Sequence, residues 1–329
     1  MKKLLVILMC ILATTLVSCG WGSSNDGALS NNDEGLIVIG FSQVGAESDW
    51  RLANTKSMRE TLSEENGYRL ILRDAQQKPE NQYAAIREFI EMGVDYIVLA
   101  PITEEGWDQV LSEARAAGIP VIIVDRMIST EDNSLYTCWV GSNFRKEGEA
   151  AVAWIGQTFW DRPTLKIVHL QGSMGSSAQI GRSASLMAAV DSYPGWEIIY
   201  SASGDFTQVK GKEIMEYVLK QFDQIDVLYC ENDNMAFGAI EAMDAAQRSY
   251  GVGGAITVIS FDATQAGLED TLRGKINYNV ECNPLHGPRV EAIILQLESG
   301  GVPDKLVYVE EAAFDATTIT QEIIDQRAY

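Results

Sequence analysis

The chain has very little histidine, two residues in 329. His169 falls inside a strand-like run and reads as a satisfied core residue, and His286 has no partner at a diagnostic spacing. No Cys-x-x-Cys and no Cys/His spacing suggests a zinc centre. There is no Gly-x-Ser-x-Gly elbow, no His-Glu-x-x-His pair and no Walker loop. Carboxylates are plentiful, but none forms a recognised acid–base motif of the kind a glycosidase needs. Positive charge is also scarce: 25 Lys and Arg stand against 46 Asp and Glu, a net charge of −21. Phosphate contacts need clustered Lys and Arg, so a chain this acidic with no basic run is not a nucleic-acid binder. The same charge suits solubility outside the cell. No apolar run reaches the ~20 residues that a membrane-spanning helix takes.

What is present begins at the N-terminus. Met1, Lys2 and Lys3 precede an uncharged apolar run from Leu4 to Val17, the order of a secretory signal. The run ends in Leu16-Val17-Ser18-Cys19, which resembles the lipobox of bacterial lipoproteins. That resemblance implies cleavage before Cys19 and acylation of Cys19, so residues 1–18 are expected to be a signal peptide. Trp21 to Glu34 is rich in Gly, Ser, Asn and Asp and too polar to order itself, and residues 19–35 are expected to form a lipidated tether. About 295 residues remain, enough for two domains. Cys138, Cys230 and Cys282 lie in or beside apolar stretches. Buried free thiols are the default for them, and one disulfide is an open alternative that sequence alone cannot pair.

Short apolar runs alternate with longer amphipathic ones. Strands are expected at Leu36–Ser42, Tyr68–Arg73, Tyr96–Ala100, Val121–Asp125, Leu165–Leu170, Glu197–Ser201, Val227–Cys230, Thr257–Phe261 and Ile276–Val280. Their consecutive Ile and Val residues are those of strands buried on both faces of a parallel sheet. Between them, Tyr83, Ile86, Phe89 and Ile90 form one helical stripe, and Ala151, Trp154, Ile155 and Phe159 another. Gly93, Gly118 and Gly251 stand where helices should end. The strand–helix alternation predicts a doubly wound parallel α/β architecture. Ligands in such sheets bind outside the carboxyl ends of the strands.

Those ends are polar in this sequence. The first strand runs into Glu47-Ser48-Asp49-Trp50-Arg51, the fourth ends in Asp125-Arg126, and Arg182 follows the loop after Leu165–Leu170. Phe206 follows another strand after Gly204-Asp205; Asn232, Asp262 and the Glu281–Asn283 segment follow three more. Vicinal hydroxyls both donate and accept, so Asp, Asn and Arg suit a sugar, and its apolar ring face suits Trp50 and Phe206. Each residue has a plainer reading. Trp50 fits a helix core, Arg126 a surface ion pair and Arg182 a helix surface. Asn232 and Asp233 both fit a helix N-cap, with Asp233 the expected cap and Asn232 the expected ligand. Asp205 fits a cap for a helix starting near Val209. Trp107, Trp139, Trp154, Trp160 and Trp196 are expected to be packing residues.

In this order along the chain, Ile39-Gly40-Phe41-Ser42-Gln43-Val44-Gly45, Asp74-Ala75-Gln76-Gln77-Lys78, Asp125-Arg126, Ser203-Gly204-Asp205-Phe206-Thr207 and Asn232-Asp233-Asn234-Met235 resemble the type I periplasmic binding proteins. The resemblance is to their ribose-binding and LacI-like group, and within it to galactofuranose-binding proteins of ABC transporters. It implies two doubly wound parallel-sheet lobes joined by a three-segment hinge near Ser142, Cys282 and Ala312. Residues 36–142 with 284–311 would form the N-terminal lobe, and 143–283 with 312–329 the C-terminal lobe. It implies a binding protein, not an enzyme, that needs no cofactor or metal. A monosaccharide held between the lobes of a monomer would pass to an ABC transporter permease, with a membrane sensor as the alternative partner. The ligand positions that carry over are Trp50, Arg51, Asp125, Arg126, Arg182, Phe206, Asn232 and Asp262, with Glu281 or Asn283 as the last polar ligand. Ala263 stands where relatives often have Gly after the Asp, which leaves the geometry of that turn open.

Overall fold

The computed structural model describes residues 35–329; the signal and lipobox expectations, with Cys19, lie outside the described residues. In chain order the strands are β1 Ile37–Gln43, β2 Tyr68–Asp74, β3 Tyr96–Leu99, β4 Val121–Val124, β5 Cys138–Gly141, β6 Leu165–Gln171, β7 Trp196–Ser203, β8 Val227–Cys230, β9 Thr257–Asp262, β10 Tyr278–Glu281, β11 Leu306–Tyr308 and β12 Ala313–Asp315. They form two six-stranded sheets, β11-β5-β4-β3-β1-β2 and β12-β10-β9-β8-β6-β7. The first is parallel throughout; in the second only β12 runs antiparallel, on β10.

Every residue of β3, β4, β5 and β8 is buried, as sheets covered on both faces by helices require. Two apolar clusters flank each sheet. The nine expected strands are all present. The three that pattern reading passed over are short: β5 reads Cys-Trp-Val-Gly, and β11 and β12 have three residues each, too few to show a period.

The helices are α1 Asp49–Thr61, α2 Pro79–Met92, α3 Asp108–Ala116, α4 Phe144–Thr158, α5 Ser177–Ser192, α6 Gln208–Gln221, α7 Asp233–Ala245, α8 Gln265–Leu272, α9 Gly287–Glu298 and α10 Gln321–Asp325. Pro79 opens α2 where its missing N–H is not needed, and Gly93 closes it at φ 67°. Gly251 is a correction: α7 already ends at Ala245, and Gly251 sits in a later turn at φ 75°. Helices α6 and α7 pack closely because Gly211 and Gly238 leave room; a Cβ on Gly238 would press on the backbone of Gln208 and Lys212. Of the expected packing tryptophans, Trp107, Trp139 and Trp196 are buried and Trp154 stacks on Tyr278. Trp160, just beyond α4, is 82% exposed, which corrects its expected packing role.

The chain crosses between the sheets three times. It leaves β5 for α4 at residues 142–143 and returns after β10 through residues 282–286 to α9, which packs on α1. After β11 it crosses again at residues 309–312 to reach β12.

Candidate binding site between the lobes

The carboxyl ends of both sheets face a common cavity of about 290 Å³ of empty space, its open mouth included. Capped helix starts set its walls. Ser48 accepts the amide of Arg51 and starts α1, which places Trp50 and Arg51 in the first turn at the end of β1. Asn143, Ser176, Thr207 and Asn232 do the same for α4, α5, α6 and α7. Thr207, not Asp205, caps α6; Asp205 pairs with Lys210 instead.

On the first lobe, Arg51 donates to Asp125 Oδ2 at 2.7 Å, Glu47 Oε1 at 3.0 Å and Gln43 Oε1 at 3.2 Å. Arg126 lies 3.6 Å from Glu47 Oε1 and 3.9 Å from Asp125 Oδ2. Burial works against the Arg51 charge, but Asp125 and Glu47 outweigh it and raise its pKa. For Arg126, burial and then the Arg51 charge prevail, and its pKa falls. On the second lobe, Arg182 donates to Glu147 Oε2 at 2.7 Å and reaches Asp262 Oδ1 at 3.5 Å. Burial pushes the Asp262 carboxyl well above the ordinary carboxylate range, against the pull of Arg182. The aromatic plates are buried: Arg51 covers Trp50 at 4.6 Å, and Arg126 lies 5.3 Å from the Phe206 ring centre.

The wall thus gathers Trp50, Arg51, Asp125, Arg126, Arg182, Phe206, Asn232 and Asp262. Glu281 and Asn283 do not line it, which corrects the expectation for the last polar ligand. Glu281 faces the C-terminal tail, where its carboxylate accepts from Arg327, Tyr329 Oη and the amide of Ala312. Asn283 closes a turn onto Leu285. Between them, Cys282 faces the cavity, because successive residues of an extended segment point to opposite sides. The cap is also a correction: Asn232, not Asp233, holds it. Asn232 is the N-cap and donates to Phe206 O at 3.0 Å, while Asp233 is fully buried and accepts from Ser260, Thr264 and Asn279. His169 is the expected core residue, bonded to Glu231 at 2.8 Å. The three described cysteines are free and buried.

Glu47, Phe144 and Cys282 line the cavity without having been among the ligand positions expected from sequence. Glu47 had a signal: it precedes Arg51 by four residues at the end of the first strand. Its Oε2 is buried and has no hydrogen-bond partner, an acceptor that a ligand hydroxyl would satisfy. Strained backbone gathers here too. Asp125 (φ 63°), Phe206 (φ 62°) and Asp262 (φ 98°) are left-handed, as is Ala263 (φ 50°) at the turn where a Gly was expected. Phe206 is seated on Gly172, whose absent side chain makes room for the ring.

Twin parallel sheets, three crossings between them and a polar cavity at their strand ends make this a type I periplasmic binding protein fold. The chain belongs to the periplasmic binding protein family, its residues 39–285 matching the periplasmic binding protein domain. It is 36% identical over 291 residues to the galactofuranose-binding protein YtfQ of Escherichia coli K12, spanning 87% of this chain and 90% of that protein. A solved structure from Mycobacterium smegmatis in complex with β-D-fucofuranose superposes with a TM-score of 0.84 at 38% identity, covering 88% of this chain and 94% of the other. The arabinose ABC transporter's periplasmic binding component from Shewanella sp. ANA-3, bound to α- and β-L-arabinofuranose, superposes at 0.81 with 36% identity, covering 88% and 95%. The family consists of binding proteins, not enzymes.

Proposed function

We propose that this chain is an extracytoplasmic lipoprotein that binds a monosaccharide in its furanose form between two lobes and delivers it to an ABC transporter permease. The observation that carries the reading is the cavity itself. Three buried guanidinium groups, each set against carboxylates, face two aromatic rings around one polar cavity. Three relatives with 36–38% identity are named for, or solved with, galactofuranose, fucofuranose and arabinofuranose. Arg51 and Arg126 would donate to ring oxygens, Asp125, Glu47 and Asp262 would accept from hydroxyls, and Phe206 and Trp50 would cover the apolar ring face.

Residues 36–142 with 284–311 form one lobe in this reading, and 143–283 with 312–329 the other, closing about the three crossings. Closure excludes water and strengthens each hydrogen bond to the ligand. The protein acts as a monomer. Cys19 carries the lipid that holds it at the membrane surface; mass spectrometry of the protein from membranes tests this, since an unmodified Cys19 ends the anchor reading.

The function is tested by a thermal-shift screen of the purified protein against furanose- and pyranose-forming monosaccharides. A ligand that binds only the folded state raises the melting temperature. A shift with one or a few sugars, lost in Asp125→Ala and Arg126→Ala, is the expected result. No shift with any sugar overturns it.

A further inference from the structure

Where the three crossings meet, at the back of the cavity, lies a second group of side chains to which the proposed sugar contacts assign no role. Glu147 from the start of α4, Cys282 from the second crossing and Glu311 from the third bring one sulfur and two carboxylate oxygens within 4.8 Å of one another. Glu147 and Glu311 line a separate groove on the far side of the hinge, about 710 Å³ by the same measure as the sugar cavity, together with Asn143, Lys146 and Glu310. Cys282 faces the sugar cavity. The cluster therefore forms the partition between the two spaces.

One atom in it lacks a strong donor. Glu147 is 4% exposed; its Oε2 holds Arg182, while its Oε1 is buried and receives no N–H or O–H, only the approach of the Cys282 thiol, a weak donor. A buried carboxylate oxygen left unpaired is costly unless a donor or a cation meets it. Water or a proton would satisfy that one oxygen, but neither accounts for a sulfur converging on it with a second carboxylate.

We propose that Glu147, Cys282 and Glu311 form a divalent-cation site of zinc type, reached from the groove behind the hinge. One thiolate and two carboxylates are a borderline donor set; Ca²⁺ and Mg²⁺ take oxygen ligands and gain nothing from the sulfur. Zinc–sulfur and zinc–oxygen bonds of about 2.3 and 2.1 Å place tetrahedral ligand atoms roughly 3.5 Å apart, so a contraction of little over an ångström closes the shell. The groove supplies the open fourth position. Already without a cation, Glu311 Oε1 accepts from Ser142 Oγ at 2.6 Å and from the amide of Asn283 at 2.7 Å, which joins the three crossings at one carboxylate. A bound cation would add Glu147, and through it Arg182, to that knot. Sequence spacing could not show the site, because its ligands come from three distant segments.

The test titrates the purified full chain, stripped with a chelator, with Zn²⁺ by equilibrium dialysis, and with Co²⁺ as an optical probe of thiolate ligation. The expected result is one tightly bound Zn²⁺ per chain and a cobalt–thiolate absorption band that Cys282→Ser abolishes. Glu311→Gln should weaken Zn²⁺ by at least about tenfold, the lower range seen for disturbing even an outer-shell partner. Should Cys282→Ser fail to fold, Glu311→Gln decides the matter, since its side chain lies outside the sugar cavity. No saturable Zn²⁺ binding, no thiolate band, or unchanged Zn²⁺ affinity in Glu311→Gln overturns the proposal. The sugar thermal shift is read separately, so the failure of either reading is distinguishable.

Discussion

Asp49 and Asn234 clasp each other across the cleft: the Asp49 amide donates to Asn234 Oδ1 at 3.0 Å, and Asn234 Nδ2 donates to Asp49 Oδ2 at 3.2 Å. One belongs to the first turn of α1, the other to the first turn of α7. Two further bonds reach across, from Glu104 N to Gly175 O at 2.9 Å and from Met127 N to Ser177 Oγ at 2.8 Å. In the hinge motion proposed above these contacts would form on closure, and they would then bias the equilibrium and through it the affinity. Asn234→Ala removes two bonds worth roughly 0.5–1.5 kcal/mol each. The expected outcome by calorimetry is a sugar Kd raised about tenfold; an unchanged Kd would show that the pair plays no part in closure.

Asp125 sits between two guanidinium groups, and removing it leaves both buried without it. Breaking a buried pair from one side costs about 3–5 kcal/mol. Asp125→Ala should therefore lose the sugar-induced shift and also lower the unfolding free energy by about 3 kcal/mol in denaturant titration. A variant that loses sugar binding at full stability would show that Arg51 finds sufficient compensation in Glu47 and Gln43.

Gly172 tests the aromatic plate without touching the ligand-bonding groups. A Cβ there overlaps the Phe206 ring. In Gly172→Ala the ring must leave its seat, and the loss of one sugar-covering plate should weaken binding by about 1–2 kcal/mol, tenfold or more in Kd. A Kd within twofold of the wild type would remove Phe206 from the list of sugar contacts.

His286 predicts an acid sensitivity. It is fully buried against the edge of Trp50, with Nδ1 3.1 Å from Asn54 Nδ2. That amide nitrogen donates, so Nδ1 accepts and the ring is neutral. Burial first, then the nearby Arg289 and Arg51 charges, outweigh the opposite pull of Asp125 and lower its pKa to about 4. Between the unfolded value near 6.5 and about 4, the unfolded chain binds the extra proton. The stability that neutral His286 contributes is thus complete above pH 6.5 and is lost as pH falls through that window, up to about 3 kcal/mol. Denaturant titrations at pH 7 and 4.5 should show a stability loss that is smaller in His286→Gln. Equal losses in both proteins would place the acid sensitivity elsewhere.

The sequence by itself determined the architecture and most of the cavity. Consecutive buried apolar residues in β3, β4 and β8 can only be covered on both faces, and a parallel sheet sends the residues after each strand to one edge. Asp125, Arg126, Asn232 and Asp262 were legible for that reason. Tertiary structure decided what depends on one residue of register or on distant segments meeting. The second crossing presents Cys282 to the cavity and turns Glu281 and Asn283 away, because neighbouring side chains of extended backbone alternate in direction and a step of one reverses the face. Asn232 rather than Asp233 caps α7, because Ser260, Thr264 and Asn279 converge on the Asp233 carboxylate from strands and turns remote in the chain. The cluster of Glu147, Cys282 and Glu311 exists only where three crossings pass one another. No local pattern encodes such a meeting, since it is set by how the two sheets pack.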